Sequence, residues 1–296
     1  MSCSRKLKNG ELLELIAWGR GELLKAGIEE AQEECERMLM KLLGCPRSGI
    51  YLEEHRLEAA GTRERFLTWI EKRAQRIPLA YLLKEADFWR ETLYVDERCL
   101  IPRPETEILV EKVIQQVTVT FRDCHQAFSF LDIGTGSGAI AVALLRACPK
   151  AAGTILDISK DALEVAGENL KRYGLEGRAV RVRGDLFEPF SKDEQWDLIV
   201  SNPPYLSEAD WTGVQEELKS EPRGALDGGK DGLDFYRKIV TEAKAYLSPG
   251  GWLALEVGQG QAAMVSKWLQ EAGYDNIHRF NDHLQVQRVV MARRHS

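Results

Sequence analysis

Nowhere in this 296-residue chain does an apolar run approach the roughly 20 residues that a membrane-spanning helix needs. A bundle of membrane helices is thereby excluded, and no membrane partner is expected. Positive charge is also short: 40 Lys and Arg stand against 46 Asp and Glu, a net charge of −6. A protein that holds nucleic acid through bulk electrostatics needs the opposite balance, so no direct nucleic-acid partner is expected. The five histidines form no cluster, and the six cysteines (Cys3, Cys35, Cys45, Cys99, Cys124 and Cys148) are scattered without a C-x-x-C pair. That pattern offers no metal site and reads as thiols in a reducing compartment. The opening Met1-Ser2-Cys3-Ser4-Arg5-Lys6 leads into no apolar stretch and soon turns glutamate-rich. Neither a secretory nor a transit peptide is read there, and a cytoplasmic monomer is expected. What is present is ordinary globular material, 44% hydrophobic and 29% charged, at a length that suits two domains.

Residues 1–80 carry only helical periodicity. Leu12, Leu15, Ile16 and Leu23 recur at helical spacing, then Leu39, Leu42 and Leu43, then Phe66, Ile70 and Ala74, with Gly10, Gly27, Gly44 and Gly61 between them as stops. Charges nearly balance and no catalytic constellation appears. A small helical bundle is predicted, either a stabilising appendage or a docking surface for a macromolecular partner. Over residues 81–103 the pattern changes around Phe88, Trp89, Leu93, Tyr94 and Val95, which predicts a connector shaped as a β-hairpin. Residues 104–296 then form the second domain. Pro104 suits a first helical position, and Glu105 and Glu107 favour the positive end of the helix dipole. From Phe128 onward strands alternate with helices, the mark of an α/β fold with a doubly wound, mostly parallel sheet, here of seven strands. Strands are predicted near 128–133, 153–157, 179–184, 198–201 and 252–257, with two more near Ile277 and over 286–292. Helices are predicted near 139–147, 161–173, 233–246 and 261–272.

The first of these strands ends in Asp132-Ile133-Gly134-Thr135-Gly136-Ser137-Gly138, followed by an apolar helix. Glycines let the backbone turn tightly and approach a ligand closely. A lone glycine loop is a weak signal, and with Ala139 it can be forced onto a dinucleotide fingerprint. The next strand ends at Asp157, about 20 residues on, placed to accept hydrogen bonds from ribose hydroxyls. Two features favour S-adenosylmethionine over a nicotinamide cofactor. The spacing is G-x-G-x-G, and Asp132 inside the strand end would repel a pyrophosphate but attract a sulfonium and an amino group. The third strand end, Gly184-Asp185-Leu186, offers another carboxylate and an apolar side chain for an adenine; a turn cap is the bland account of Asp185.

At the fourth strand end the apolar run Leu198 to Val200 stops at Asn202-Pro203-Pro204-Tyr205. Two successive prolines supply no N–H and cannot continue a sheet ladder, and each confines the residue before it. An amide side chain and a rigid carbonyl are thus presented where open α/β sheets bind ligands. A planar NH2 group is a poor nucleophile because its lone pair is delocalised. Two acceptors, the Asn202 side-chain carbonyl and the Pro203 backbone carbonyl, can hold its two hydrogens, orient it and favour the localised lone pair. Tyr205 supplies a flat wall. Methylation of a planar NH2 nitrogen is the reading.

Together these stretches resemble the HemK/PrmC family, S-adenosylmethionine-dependent methyltransferases of the glutamine in the Gly-Gly-Gln motif of peptide-chain release factors. The resemblance covers nearly the whole chain. It rests on Arg76-Ile77-Pro78-Leu79-Ala80-Tyr81, Ile101-Pro102-Arg103-Pro104-Glu105-Thr106-Glu107, the glycine loop, Asp157-Ile158-Ser159, Gly184 to Phe187, Asn202 to Tyr205, and Glu221 through Gly228-Gly229 and Asp231-Gly232 to Phe235. It departs at Lys84, where the family's pattern has glycine, and after Asp282, where a glycine is again missing. The resemblance implies that Gly134, Thr135, Gly136, Ser137, Gly138, Asp157, Asp185, Leu186 and Asn202 line the cofactor. It implies that Arg103 closes over the methionine end, that Asn202 to Tyr205 hold the glutamine amide, and that Asn202, Pro203 and Tyr205 carry the catalysis. S-adenosylhomocysteine is then the product, the N-terminal helices help recognise a class I release factor, and translation termination is what the modification modulates. The Asn-Pro-Pro-Tyr turn alone is shared with adenine-N6 methyltransferases of nucleic acids, which remain the alternative; a non-catalytic cofactor-binding adaptor is a weaker one, and a dehydrogenase leaves that turn unexplained.

Overall fold

In a computed structural model the chain is described over residues 9–52, 61–120 and 126–295; Cys3, Cys124 and the opening six residues lie outside them. The described residues form two compact units, residues 1–84 with 216–220, and residues 85–215 with 221–296.

The first unit contains α1 (Asn9–Lys25), α2 (Ala31–Leu43), α3 (Arg47–Leu52), α4 (Thr62–Ala74) and α5 (Leu79–Leu83). Leu12, Ile16, Leu23, Leu39, Phe66 and Ile70 share one apolar core, so helical spacing marks the buried faces. Gly27 and Gly44 have φ of 74° and 62°, and the Gly44 N–H closes α2 on the Met40 carbonyl, as glycine stops should. Gly10 is no stop; it lies in the first turn of α1, where an N-terminal position tolerates it. The short segment Glu216–Ser220 also belongs to this unit. There Glu217 accepts from Arg73 at 3.0 Å and Arg76 at 3.1 Å, while the buried Arg73 donates to Glu34 at 2.6 Å. Lys84, past the end of α5, has φ 57°, the left-handed conformation that explains why a glycine pattern exists at that position.

The second unit opens with the hairpin β1 (Ala86–Phe88) and β2 (Glu91–Leu93) and the helix α6 (Pro104–Thr120). There follow β3 (Phe128–Ile133), α7 (Ala139–Ala147), β4 (Ala151–Asp157), α8 (Lys160–Arg172), β5 (Ala179–Arg183) and β6 (Trp196–Ser201). The chain ends through α9 (Asp234–Tyr246), β7 (Leu247–Glu256), α10 (Ala262–Glu271), β8 (Tyr274–Asn281) and β9 (Gln287–Arg294). One seven-stranded sheet has the order β5-β4-β3-β6-β7-β9-β8, parallel from β5 to β7 and antiparallel at β9 and β8. Central strands are apolar on both faces because helices cover both, and two core clusters lie on either side of the sheet. The order reverses between β3 and β6, so their carboxyl ends open a crevice there. The turn after β8 closes without a glycine. Asp282 accepts from the Leu284 and Val286 N–H groups at 2.8 and 2.9 Å and from Arg288 at 3.1 Å, while Gln285 takes the left-handed conformation at φ 64°.

Of the described cysteines, Cys35, Cys45 and Cys99 are in no disulfide, whereas Cys148 at the end of α7 is in one. The expectation of thiols throughout is corrected there, because spacing along a chain does not reveal which sulfurs a fold brings together. None of the described helices is long and apolar enough to cross a membrane.

One strand pair shows how tightly the sheet is built. Phe130 on β3 sits opposite Gly153 on β4, and a Cβ on Gly153 would lie 2.5 Å from its ring. Gly153→Ala is expected to destabilise the protein by ~1–3 kcal/mol through overpacking, read as a lower denaturant midpoint at unchanged m-value, and Phe130→Leu in the same chain to recover part of the loss.

Candidate active site

The crevice is built from the carboxyl end of β3 outward. Gly134 and Gly136 have φ of 70° and 56°, and a Cβ on either would meet no atom within 4 Å. Both therefore leave open space where a ligand can approach main chain. The Gly134 and Thr135 N–H groups continue the sheet onto the Leu156 carbonyl at 2.8 and 2.9 Å, and the Gly136 N–H donates to Asp157 Oδ2 at 2.9 Å. Gly138 plays another part. At φ 80° its missing side chain lets α7 approach α8, where a Cβ would sit 3.1 Å from that of Ala166.

Two acids lie under this loop. Asp132 is fully buried, its Oδ2 accepting from the Thr135 hydroxyl at 2.7 Å. Burial pushes its carboxyl up to about 7, and the neighbouring Asp157 adds to the rise. Asp157 ends β4 with Oδ1 on the Ser159 N–H at 2.9 Å and Oδ2 on the glycine loop, and burial raises it too. Each of its oxygens keeps a lone pair for a further donor. Asp185 and Leu186 follow β5, and Leu186 holds φ 49°, a conformation costly for a leucine, with its side chain buried.

The cleft is lined by Arg103, Gly134, Thr135, Gly136, Ser137, Asp157, Asp185, Leu186, Asn202, Pro203 and Pro204, so the residues singled out from three strand ends and the Asn-Pro-Pro turn converge. Gly138 and Tyr205 do not line it. The Tyr205 ring packs instead against the core on one side of the sheet. Its hydroxyl is pushed up to about 12, first by burial and then by the Glu256 charge. Its main chain is the working part. The Tyr205 carbonyl accepts from Gln261 Nε2 at 3.0 Å, and the same amide reaches the Gly232 carbonyl at 3.1 Å. A Cβ on Gly228 would sit 2.8 Å from the Tyr205 Cα, and one on Gly232 would sit 2.3 Å from the Tyr205 carbonyl oxygen. The Gly-Gly-x-Asp-Gly loop is glycine-rich because it presses its backbone against the Asn-Pro-Pro-Tyr turn.

Three residues were not foreseen as part of the site. Thr106, in the first turn of α6, accepts from Asn202 Nδ2 at 3.0 Å. Glu221, buried, accepts from Arg103 at 2.5 Å with one oxygen and from the Ile101 N–H at 3.0 Å with the other, which fixes Arg103 at the cleft. Glu256 ends the apolar strand β7 and is buried. The available signal was an acid closing an otherwise apolar run, the pattern already read at Asp132 and Asp157.

The cleft offers open glycines, the Asp157 carboxyl and apolar Leu186, a set that fits an adenosine-bearing group, while Asp132 lies buried beneath the loop. Residues 106–272 match the family model described as the methyltransferase small domain, and residues 14–83 match the PrmC N-terminal domain. A solved methyltransferase from Pyrococcus furiosus has the same fold, with a TM-score of 0.51 at 18% identity over 69% of this chain and 89% of that one. The protein is a methyltransferase of the seven-stranded, doubly wound class. Its relatives include the release factor glutamine methyltransferase of Geobacter sulfurreducens, 40% identical over 94% of this chain and 95% of the other, and that of Gloeobacter violaceus, 41% identical over 88% and 87%. The chain belongs to the release factor glutamine methyltransferase family.

The buried acid gives a stability prediction. An unfolded aspartate ionises near 3.9, whereas Asp132 in the fold holds its proton to about 7. Below both values the group contributes nothing; as pH rises between them only the unfolded state ionises, so stability falls across that window and then levels. Asp132→Asn is expected to raise the unfolding free energy of the ligand-free protein at pH 8 by up to about 4 kcal/mol, with the gain vanishing toward pH 4 in denaturant titrations.

Proposed function

We propose that the protein transfers a methyl group from S-adenosylmethionine to the side-chain amide nitrogen of the glutamine in the Gly-Gly-Gln motif of class I peptide-chain release factors, in the cytoplasm. The observation that carries this reading is the Asn202 amide at the end of β6, beside the glycine loop and held by Thr106 through its nitrogen. With Nδ2 engaged, Oδ1 is free to accept a hydrogen from the substrate amide, and the Pro203 carbonyl accepts the other. An NH2 group gripped at both hydrogens is aligned for in-line displacement, and its nitrogen lone pair is favoured over the delocalised form as charge develops.

Gly134 to Ser137 would provide close main chain for the cofactor, Asp157 would accept from its ribose hydroxyls, and Asp185 with Leu186 would hold its adenine. Arg103, oriented by Glu221, covers the methionine end. S-adenosylmethionine supplies a methyl group on a cationic sulfur when bound. Its methyl group would pass to the amide nitrogen held by Asn202 and Pro203, leaving the neutral thioether, and the extra proton would leave for solvent from a nitrogen that is acidic only after methylation. Asn202, being uncharged, adds no anion beside a sulfonium that is being discharged. Tyr205 contributes through its main chain, anchored by Gln261. The N-terminal unit serves recognition of the release factor.

Asn202→Ala is expected to lower kcat by about 100-fold or more while cofactor binding, followed by calorimetry, persists. The acceptor is tested with labelled S-adenosylmethionine and three substrates: a release factor, the same factor with the Gly-Gly-Gln glutamine changed to alanine, and duplex DNA. Label on the unmodified factor only is expected; label on DNA would transfer the case to nucleic-acid adenine methylation.

A further inference from the structure

The helix α8 buries Ala162, Leu163, Val165, Ala166, Asn169 and Leu170, and Asn169 is the one polar residue among them. It is 0% exposed and does not line the cleft. Packing alone would call for an apolar side chain there. The amide instead makes three hydrogen bonds, all to main chain. Nδ2 donates to the Ser137 carbonyl and to the Tyr94 carbonyl, each at 2.8 Å, and Oδ1 accepts from the Tyr94 N–H at 2.7 Å. Two carbonyls can only accept and an N–H can only donate, so the amide has one orientation and both its hydrogens are used.

These partners belong to two separate lengths of the cleft wall. Ser137 lies in the glycine loop. Tyr94 leads into the stretch that contributes Arg98, Cys99, Leu100, Pro102 and Arg103 to the lining. That stretch runs between β2 and α6 with no helix or strand of its own, so ties from elsewhere must place it. The link from Tyr94 to it is short and stiff. Buried Asp96 accepts from the Tyr94 hydroxyl at 2.8 Å and from Arg98 through Nε at 2.9 Å, Nη2 at 2.8 Å and the main-chain N–H at 3.1 Å.

We propose that Asn169 is a positioning residue for the cofactor: one buried amide fixes the spacing of the glycine loop and residues 98–103, so that both walls meet the same bound S-adenosylmethionine. The role rests on the cleft taking that cofactor. The helix that carries the amide is tied to the same site at two further points. Ser159 caps α8 and donates its N–H to Asp157 Oδ1 at 2.9 Å, and Ala166 abuts Gly138. One helix is thus the common reference for a strand end, the glycine loop and the outer wall. A ligand that must touch both walls loses less on binding when their spacing is already set. Asn169 touches no reacting atom, so it acts on cofactor affinity and leaves the chemical step alone.

The test is calorimetry with S-adenosylhomocysteine and hydrogen exchange of the Tyr94 amide, both on the full chain. Asn169→Asp keeps an acceptor for the Tyr94 N–H but turns an oxygen toward two carbonyls; Asn169→Leu leaves all three main-chain groups unpaired. Each is expected to weaken binding about 10-fold or more and to raise KM for S-adenosylmethionine in proportion, with kcat at saturation within about 3-fold of wild type. Gly153→Ala, which strains the sheet outside the cleft lining, is the control for lost stability and should bind as the wild type does. In the wild type, saturating ligand is expected to slow Tyr94 exchange about 10-fold or more. Wild-type affinity in either folded Asn169 variant would overturn the proposal, as would an equal loss in Gly153→Ala. Should neither variant fold, wild-type Tyr94 exchange that ignores the ligand would overturn it. A wild type that binds no S-adenosylhomocysteine would remove the cofactor reading and this role together, whereas equal binding by wild type and variants removes the role alone.

Discussion

Two successive prolines impose the constraint on which the site depends. Pro203 and Pro204 donate no main-chain hydrogen bond, so the chain leaving β6 cannot be held by its neighbours in the sheet. Something else must hold it, and much of the surrounding sequence is spent on that task. Gln261 grips the Tyr205 carbonyl, Leu206 pairs with the Leu226 and Gly228 main chain at 2.9 and 2.8 Å, and the glycines of the 228–232 loop allow that backbone to come so near. Thr106 then orients the amide that the prolines present.

A second consequence concerns charge. Asp132, Asp157 and Glu256 are carboxyls raised by burial within one sheet, and Glu221 is buried against a guanidinium. The protein carries these acids at a cost, and the glycine loop above Asp132 and Asp157 leaves main chain open to the cleft.

The strand ends were legible in the sequence because one local rule governs them. An apolar run that stops at an acid or amide after a βα alternation marks a strand end, and the rule picks out Asp132, Asp157 and Asn202, whereas Asp185 follows the charged strand β5 and stands out only by its place in the alternation. The same rule applied to Trp252–Leu255 would have found Glu256. Thr106 and Glu221 were less accessible. Each lies in a segment whose local account, a helix start for one and a proline-containing loop for the other, is complete by itself, and only the fold brings them to Asn202 and Arg103. Tyr205 shows the opposite error. An aromatic residue after Asn-Pro-Pro suggests a ring in the cleft, but ring direction depends on tertiary packing that the sequence does not state. At Lys84 and Gln285 the backbone takes the left-handed form without glycine, so a missing glycine was no sign of a different turn.

The assignment of Glu216–Ser220 to the first unit means that the two units are not consecutive lengths of chain. The polypeptide passes from one to the other three times, after 84, after 215 and after 220. No single cut separates them cleanly. A chain begun at residue 85 would carry Glu217 without Arg73 and Arg76, and one ended at residue 84 would leave the buried Arg73 with Glu34 as its remaining carboxylate. The helical unit is therefore stitched into the enzyme rather than prefixed to it, and a fusion or truncation that treats it as a detachable leader removes part of its own interior.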